Sequence, residues 1–121
     1  MKAIAVLAAA LLASGSVWAA GDAAAGMDAF GKCAMCHSNT RGAPARIGPN
    51  LWGVVGRKAA TQPDFSYSAA LKASGIVWTE ANLDKWITSP ARMVPGNRMA
   101  FSGVSSAKER ADLIAYLATL K

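Results

Sequence analysis

A chain of 121 residues has room for one domain and not two, and a core that thin gains from something added to it. Its 13 Lys+Arg against 7 Asp+Glu leave a net charge of +6, but the basic residues are scattered singly. Arg57-Lys58 is their one adjacent pair, which excludes the basic run of a nucleic-acid-binding arm. Two cysteines and one histidine exclude a disulfide framework and a four-ligand zinc site.

Met1-Lys2 is a short basic start, followed by an almost wholly apolar run from Ala3 to Ala13. Small residues come next, with Val17 and Ala19 at the positions a signal peptidase reads. The run is shorter than the roughly 20 residues that span a bilayer. Residues 1–19 therefore read as a cleaved secretory signal of bacterial type. That leaves a soluble periplasmic domain over 20–121 without stable membrane insertion.

Asp22 is a good N-cap, and Ala24, Met27 and Phe30 recur at helical spacing, so a first helix is predicted from about Ala23 to Lys32. Met27 on that helix is expected to pack. Gly26 inside it is costly and calls for a packing reason. From Ser38 to Ser66 the chain is rich in Gly, Pro, Asn and Arg and reads as a long ordered loop with turns at Gly42, Gly48-Pro49 and Gly53. So long a loop needs something to wrap around. A short helix is predicted over Tyr67–Ala73, ending at Gly75. Thr79 caps a helix bearing Leu83, Trp86 and Ile87 that stops before Pro90, and a second loop runs from Met93 to Val104. Ser106 to Glu109 fits a capping box, after which Leu113, Tyr116, Leu117 and Leu120 line one face of a terminal helix. No stretch alternates as a half-buried strand does. The fold class expected is all-α: a single small domain of short helices and long loops.

The chemistry is concentrated in Cys33-Ala34-Met35-Cys36-His37. C-x-x-C-H is the attachment pattern of c-type haem. Two thiols one helical turn apart reach the two vinyl groups of the porphyrin, and the next residue, His37, lies beneath the iron as a neutral imidazole ligand. A thioredoxin-like dithiol would need a βαβ context, and a disulfide between Cys33 and Cys36 would close too small a loop to stabilise much. With no second histidine, a protein ligand on the other face of the iron must be a soft Met. Met35 lies between the thioether cysteines and cannot reach that face. Met93 and Met99 remain, and Met99 is the better placed, in the turn Pro95-Gly96-Asn97-Arg98-Met99.

Around this motif stand Gly26 and Phe30, Gly48-Pro49-Asn50-Leu51, Gly56-Arg57-Lys58, Phe65-Ser66-Tyr67, Gly75-Ile76-Val77-Trp78, Pro95 to Phe101, and Asp112 to Leu117. In this order they resemble the class I cytochromes c, of the mitochondrial type and related soluble bacterial type, over the whole chain after the signal. The resemblance implies one haem c bound covalently through Cys33 and Cys36, with His37 and Met99 as iron ligands. It implies that the Pro49 carbonyl orients His37, that Arg57, Tyr67 and Trp78 hold the haem propionates, and that Gly26 and Phe30 pack against Leu113 and Tyr116. The chain departs from the family at Trp86, Asn97 and Leu71, where Tyr, Thr and Asn are usual. Its basic rim is thinned to Lys32, Arg46, Arg92 and Arg98.

Two filled axial positions imply an electron carrier and not an enzyme, with apolar walls that include Leu51, Trp86 and Phe101. The expected partners are acidic faces of redox proteins, such as a terminal oxidase, a quinol–cytochrome c reductase or a dehydrogenase, met by a monomer. A haem peroxidase or gas sensor with a labile sixth ligand, or a subunit of a larger oxidoreductase, are the alternatives.

Overall fold

The computed structural model describes residues 21–121. The expected signal segment and the start of the expected domain at 20 lie outside them. Six short helices follow one another: α1 (Ala23–Ala29), α2 (Gly31–Ala34), α3 (Ala69–Ala73), α4 (Glu80–Thr88), α5 (Pro90–Met93) and α6 (Ala107–Leu117). Among the described residues there is no strand, only one antiparallel bridge between Lys58 and Val77, and no helix is long and apolar enough to cross a membrane.

The frame is the crossing of α1 on α6. A Cβ on Gly26 would overlap the Asp112 carbonyl and press on Tyr116, so the absence of a side chain there lets the two backbones touch. Phe30 then lies 5.5 Å from Tyr116, ring to ring, and Leu113 is almost wholly enclosed. Asp22 caps α1 by accepting from the N–H groups of Ala24 and Ala25, and its own N–H donates to Asp112 Oδ1 at 2.8 Å. The start of α1 is thus tied to the side of α6. Leu113, Tyr116, Leu117 and Leu120 are all buried, as the helical pattern predicts.

The predicted first helix is interrupted at Phe30. Cys33 and Ala34 both donate to the Phe30 carbonyl, a tightening of the ladder where Phe30 turns into the core and the poor helix former Gly31 follows. Met27 does not pack: it is 59 % exposed. The third helix starts at Ala69, because Ser68 is extended and its Oγ accepts from Leu71 N–H; Tyr67 therefore lies outside the helix. Thr79 caps α4 as predicted. Met93, expected to open the second loop, instead ends a turn of helix, α5, with Pro90 at its start and Ser89 as its cap.

Ser106 caps α6 through Glu109 N–H, but the reciprocal half of the predicted capping box is replaced. The Glu109 carboxylate reaches Lys32 Nζ at 2.6 Å instead, joining α6 to α2. Arg110 donates to Asp84 Oδ1 at 2.8 Å and to the carbonyls of Val104 and Ser105, locking α6 to α4 and to the end of the second loop.

The long loop is ordered by bonds to distant backbone. Gly53 donates to Leu120 O, Gly56 to Trp78 O, Ala59 to Ile76 O, and Asn39 Nδ2 to the Tyr116 hydroxyl. Asn50 alone satisfies three backbone groups, donating to the carbonyls of Thr40 and Ala43 and accepting from Trp52 N–H.

Asp112 makes this frame sensitive to acid. The Asp22 backbone N–H and then the Lys108 ammonium hold its carboxyl below the usual value of 3.8. A depressed folded pKa gives stability that is present above the unfolded value and lost as pH falls through the folded one. Denaturant titrations at falling pH should therefore show the midpoint dropping below that ordinary value. In Asp112→Asn the midpoint should start lower and lose this part of the slope.

Candidate functional site

The tightened turn at Phe30 sets the motif. Cys33 is in α2, Cys36 donates to Cys33 O at 3.0 Å, and His37 donates to the same carbonyl at 2.9 Å. All three side chains therefore sit within one turn. Both cysteines are free thiols of intermediate burial. Burial, and then the neighbouring Cys36, push the Cys33 thiol up from its ordinary value.

His37 is held from two sides. Its Nδ1 lies 2.6 Å from the Pro49 carbonyl, to which it donates when it carries the proton, leaving Nε2 as the coordinating atom. Gly48 lies flat against the ring, and any Cβ there would strike it. Burial, chiefly, lowers the pKa of His37; the Pro49 bond opposes this, and Arg57 and Arg46 add to it. The imidazole is thus kept neutral, the state that can ligate a metal.

The methionines separate by exposure. Met35 is 75 % and Met27 59 % exposed, whereas Met93 and Met99 are partly buried against the core. Met93 is on α5. Met99 lies in the irregular segment after it, where its N–H donates to Asn97 Oδ1 at 2.8 Å and its carbonyl accepts from Phe101 N–H. Leu51 and Phe101 also pack partly buried on the core, and Trp86 is buried with its ring 5.2 Å from that of Trp78.

Arg57, Tyr67 and Trp78 come together although they are far apart in sequence. Trp78 N–H donates to Arg57 O at 2.8 Å, in the paired stretch around the Lys58–Val77 bridge. The Arg57 guanidinium donates to the carbonyls of Asn50 and Trp52. Burial lowers its pKa, and the neighbouring Tyr67 opposes that shift. Burial raises the Tyr67 phenol, whose oxygen accepts from Gln62 N–H.

The expected basic rim is largely engaged within the chain. Lys32 pairs with Glu109 across a partly exposed gap, a contact worth about 0–1 kcal/mol. Arg46 donates to the carbonyls of Ala34 and Met35, fastening the long loop to the motif, and Arg98 donates to Ser66 O at 3.3 Å. Arg92 is exposed.

The sequence marks Gly48 as a turn and part of the Gly48–Leu51 landmark, and Asn97 as part of the Met99 turn and a departure, but not the contact that either makes. A glycine before the Pro that orients His37, and an Asn two residues before a Met in a turn, were the available signals. Among the described residues no three His, Cys, Asp or Glu side chains gather as a metal site. The donors that are present suit an iron porphyrin: two thiols one turn apart, a neutral imidazole and a thioether among apolar side chains. Gly48→Ala should lower the free energy of unfolding by about 1–3 kcal/mol, since the new methyl meets the ring. An unchanged denaturant midpoint would show that the ring gives way freely.

Known proteins are similar to this chain over most of its described length. The family model described as cytochrome c matches residues 23–121. Cytochrome c2 of Rhodomicrobium vannielii is 46% identical over 121 residues, covering 98% of this chain and 97% of that one. Cytochrome c of Sesamum indicum is 46% identical over 86 residues, covering 71% of this chain and 78% of its own. The solved structure of cytochrome cH from Methylobacterium extorquens superposes with a TM-score of 0.77 at 45% identity, covering 82% of this chain and 99% of that one. With a family model spanning most of its length and relatives this similar, the chain belongs to the cytochrome c family.

Proposed function

We propose that this chain is a periplasmic electron carrier in which Cys33 and Cys36 would hold one haem c through thioethers and His37 and Met99 would ligate its iron. The carrying observation is the 2.6 Å contact of His37 Nδ1 with the Pro49 carbonyl, directly after the paired thiols. It orients the ring and makes Nε2 a better donor. The chemistry that bound haem supplies is the exchange of one electron between Fe(II) and Fe(III). The Met99 thioether, a soft donor, would favour the reduced state, and two protein ligands on the iron would suit electron exchange better than substrate binding. Leu51, Trp86 and Phe101 keep water away, which limits rearrangement when the charge changes. Arg57, Tyr67 and Trp78, adjacent and anchored through the backbone, are suited to hold propionate groups.

The partners in this reading are redox proteins approached by a monomer at the face bearing the motif. Arg46, Arg92 and Arg98 supply the positive charge that an acidic partner face meets, so encounter should slow as salt rises. Residues 1–19 serve as the export signal, consistent with a bacterial relative matched over nearly the full length of both chains. N-terminal sequencing of the exported protein should begin at Ala20, and a retained Met1 would sink this part of the reading.

The oxidised protein should show the weak red absorption band of a methionine-to-iron bond. Met99→Ala should abolish it with the haem still attached, and Met93→Ala should keep it. Rapid binding of carbon monoxide by the reduced wild-type protein at neutral pH would instead favour a gas sensor or peroxidase.

A further inference from the structure

Nothing helical holds Met99, since residues 94–106 form no regular element. Its backbone is placed by a side chain. Asn97 Oδ1 accepts from Met99 N–H at 2.8 Å, while Asn97 Nδ2 donates to Val94 O at 2.9 Å. The Asn97 backbone N–H donates to the same Val94 carbonyl at 3.1 Å. Val94 is itself buried in the core, and its N–H donates to the carbonyl of Pro90, whose side chain is fully buried. A continuous run of hydrogen bonds thus leads from the enclosed start of α5 to Met99, and the Asn97 amide is its last link. Gly96, at φ +87°, supplies the reversal that folds the amide back. Among the described residues, 95–101 make one hydrogen bond to distant chain, Arg98 to Ser66 O at 3.3 Å, and it is exposed and long.

A carboxamide is specially suited to this place. It accepts at one atom and donates at the other, so it can bridge an N–H and a carbonyl at once. Aspartate keeps only the acceptor, and alanine keeps neither. We propose that Asn97 is the positioning residue for Met99: its side chain closes residues 94–99 into a loop and thereby sets how readily Met99 gives up the iron. The inference rests on Met99 being the sixth ligand. For an outside ligand to enter, the closed loop must give way and both side-chain bonds must break. Removing them beforehand weakens the closed form alone and leaves Met99, His37 and the cysteines in place.

The test is an imidazole titration of the oxidised holoprotein, followed by loss of the red band. Hydrogen exchange at the Met99 amide is read alongside it. Asn97→Ala should bind imidazole about thirtyfold more tightly than wild type, the factor that losing two ordinary hydrogen bonds implies, and should exchange the Met99 amide faster. Asn97→Asp, which retains the acceptor, should lie between the two and serves if the alanine variant fails to accumulate. Imidazole affinity within about twofold of wild type in the variants would overturn the proposal, even if the denaturant midpoint moved. Met99→Ala is the control. If it keeps the red band, the ligand reading itself fails. If it loses the band while the Asn97 variants match wild type, only the role of Asn97 fails.

Discussion

The contact of α1 with α6 at Gly26 is the constraint on which the rest depends. Backbone touches backbone there, which only a residue without a side chain permits. From that crossing Phe30 is delivered against Tyr116 and the chain tightens, so that Cys33, Cys36 and His37 emerge as one turn directly beside the core. Asp112, accepting from Asp22 and Lys108, fastens the same crossing from its other end. A group anchored to two adjacent thiols needs such a base, because a thin domain offers little rigidity of its own.

The remaining architecture serves to bring irregular backbone close to that turn. Loops carry many backbone groups with no ladder to join, and each must find a partner. Side-chain amides supply several of them here. Asn50 gathers three backbone groups in the long loop, Asn39 reaches Tyr116, and Asn97 bridges Val94 and Met99. Arg46 does the same for the carbonyls that end α2. Loops ordered in this way can present a histidine on one side and a methionine on the other, a placement that short helices alone do not reach.

The same economy bears on the surface. Lys32, Arg46 and Arg98, expected as steering charges, each have a partner within the chain, while Met27 and Met35 are open to solvent. Their charges still contribute to a positive field, but their geometry is set by internal bonds as well as by whatever approaches.

Much was legible in the sequence because its causes are local. Asp22, Thr79 and Ser106 cap helices wherever they precede one, the spacing of Leu113, Tyr116, Leu117 and Leu120 marks a buried face, and C-x-x-C-H carries its chemistry in five consecutive residues. Spacing alone also narrowed the soft ligand to Met93 or Met99. What it did not disclose depends on residues far apart in the chain. Glu109 leaves its capping box for Lys32, Met27 stays exposed, Phe30 interrupts the first helix, and Gly48 packs against the ring of His37. Local propensity and covalent spacing belong to the sequence by itself, so it determined the helices and the reactive motif. Which side chain meets which is decided only when distant segments close on one another, so the tertiary structure decided how His37 is held and which groups the loop around Met99 bonds to.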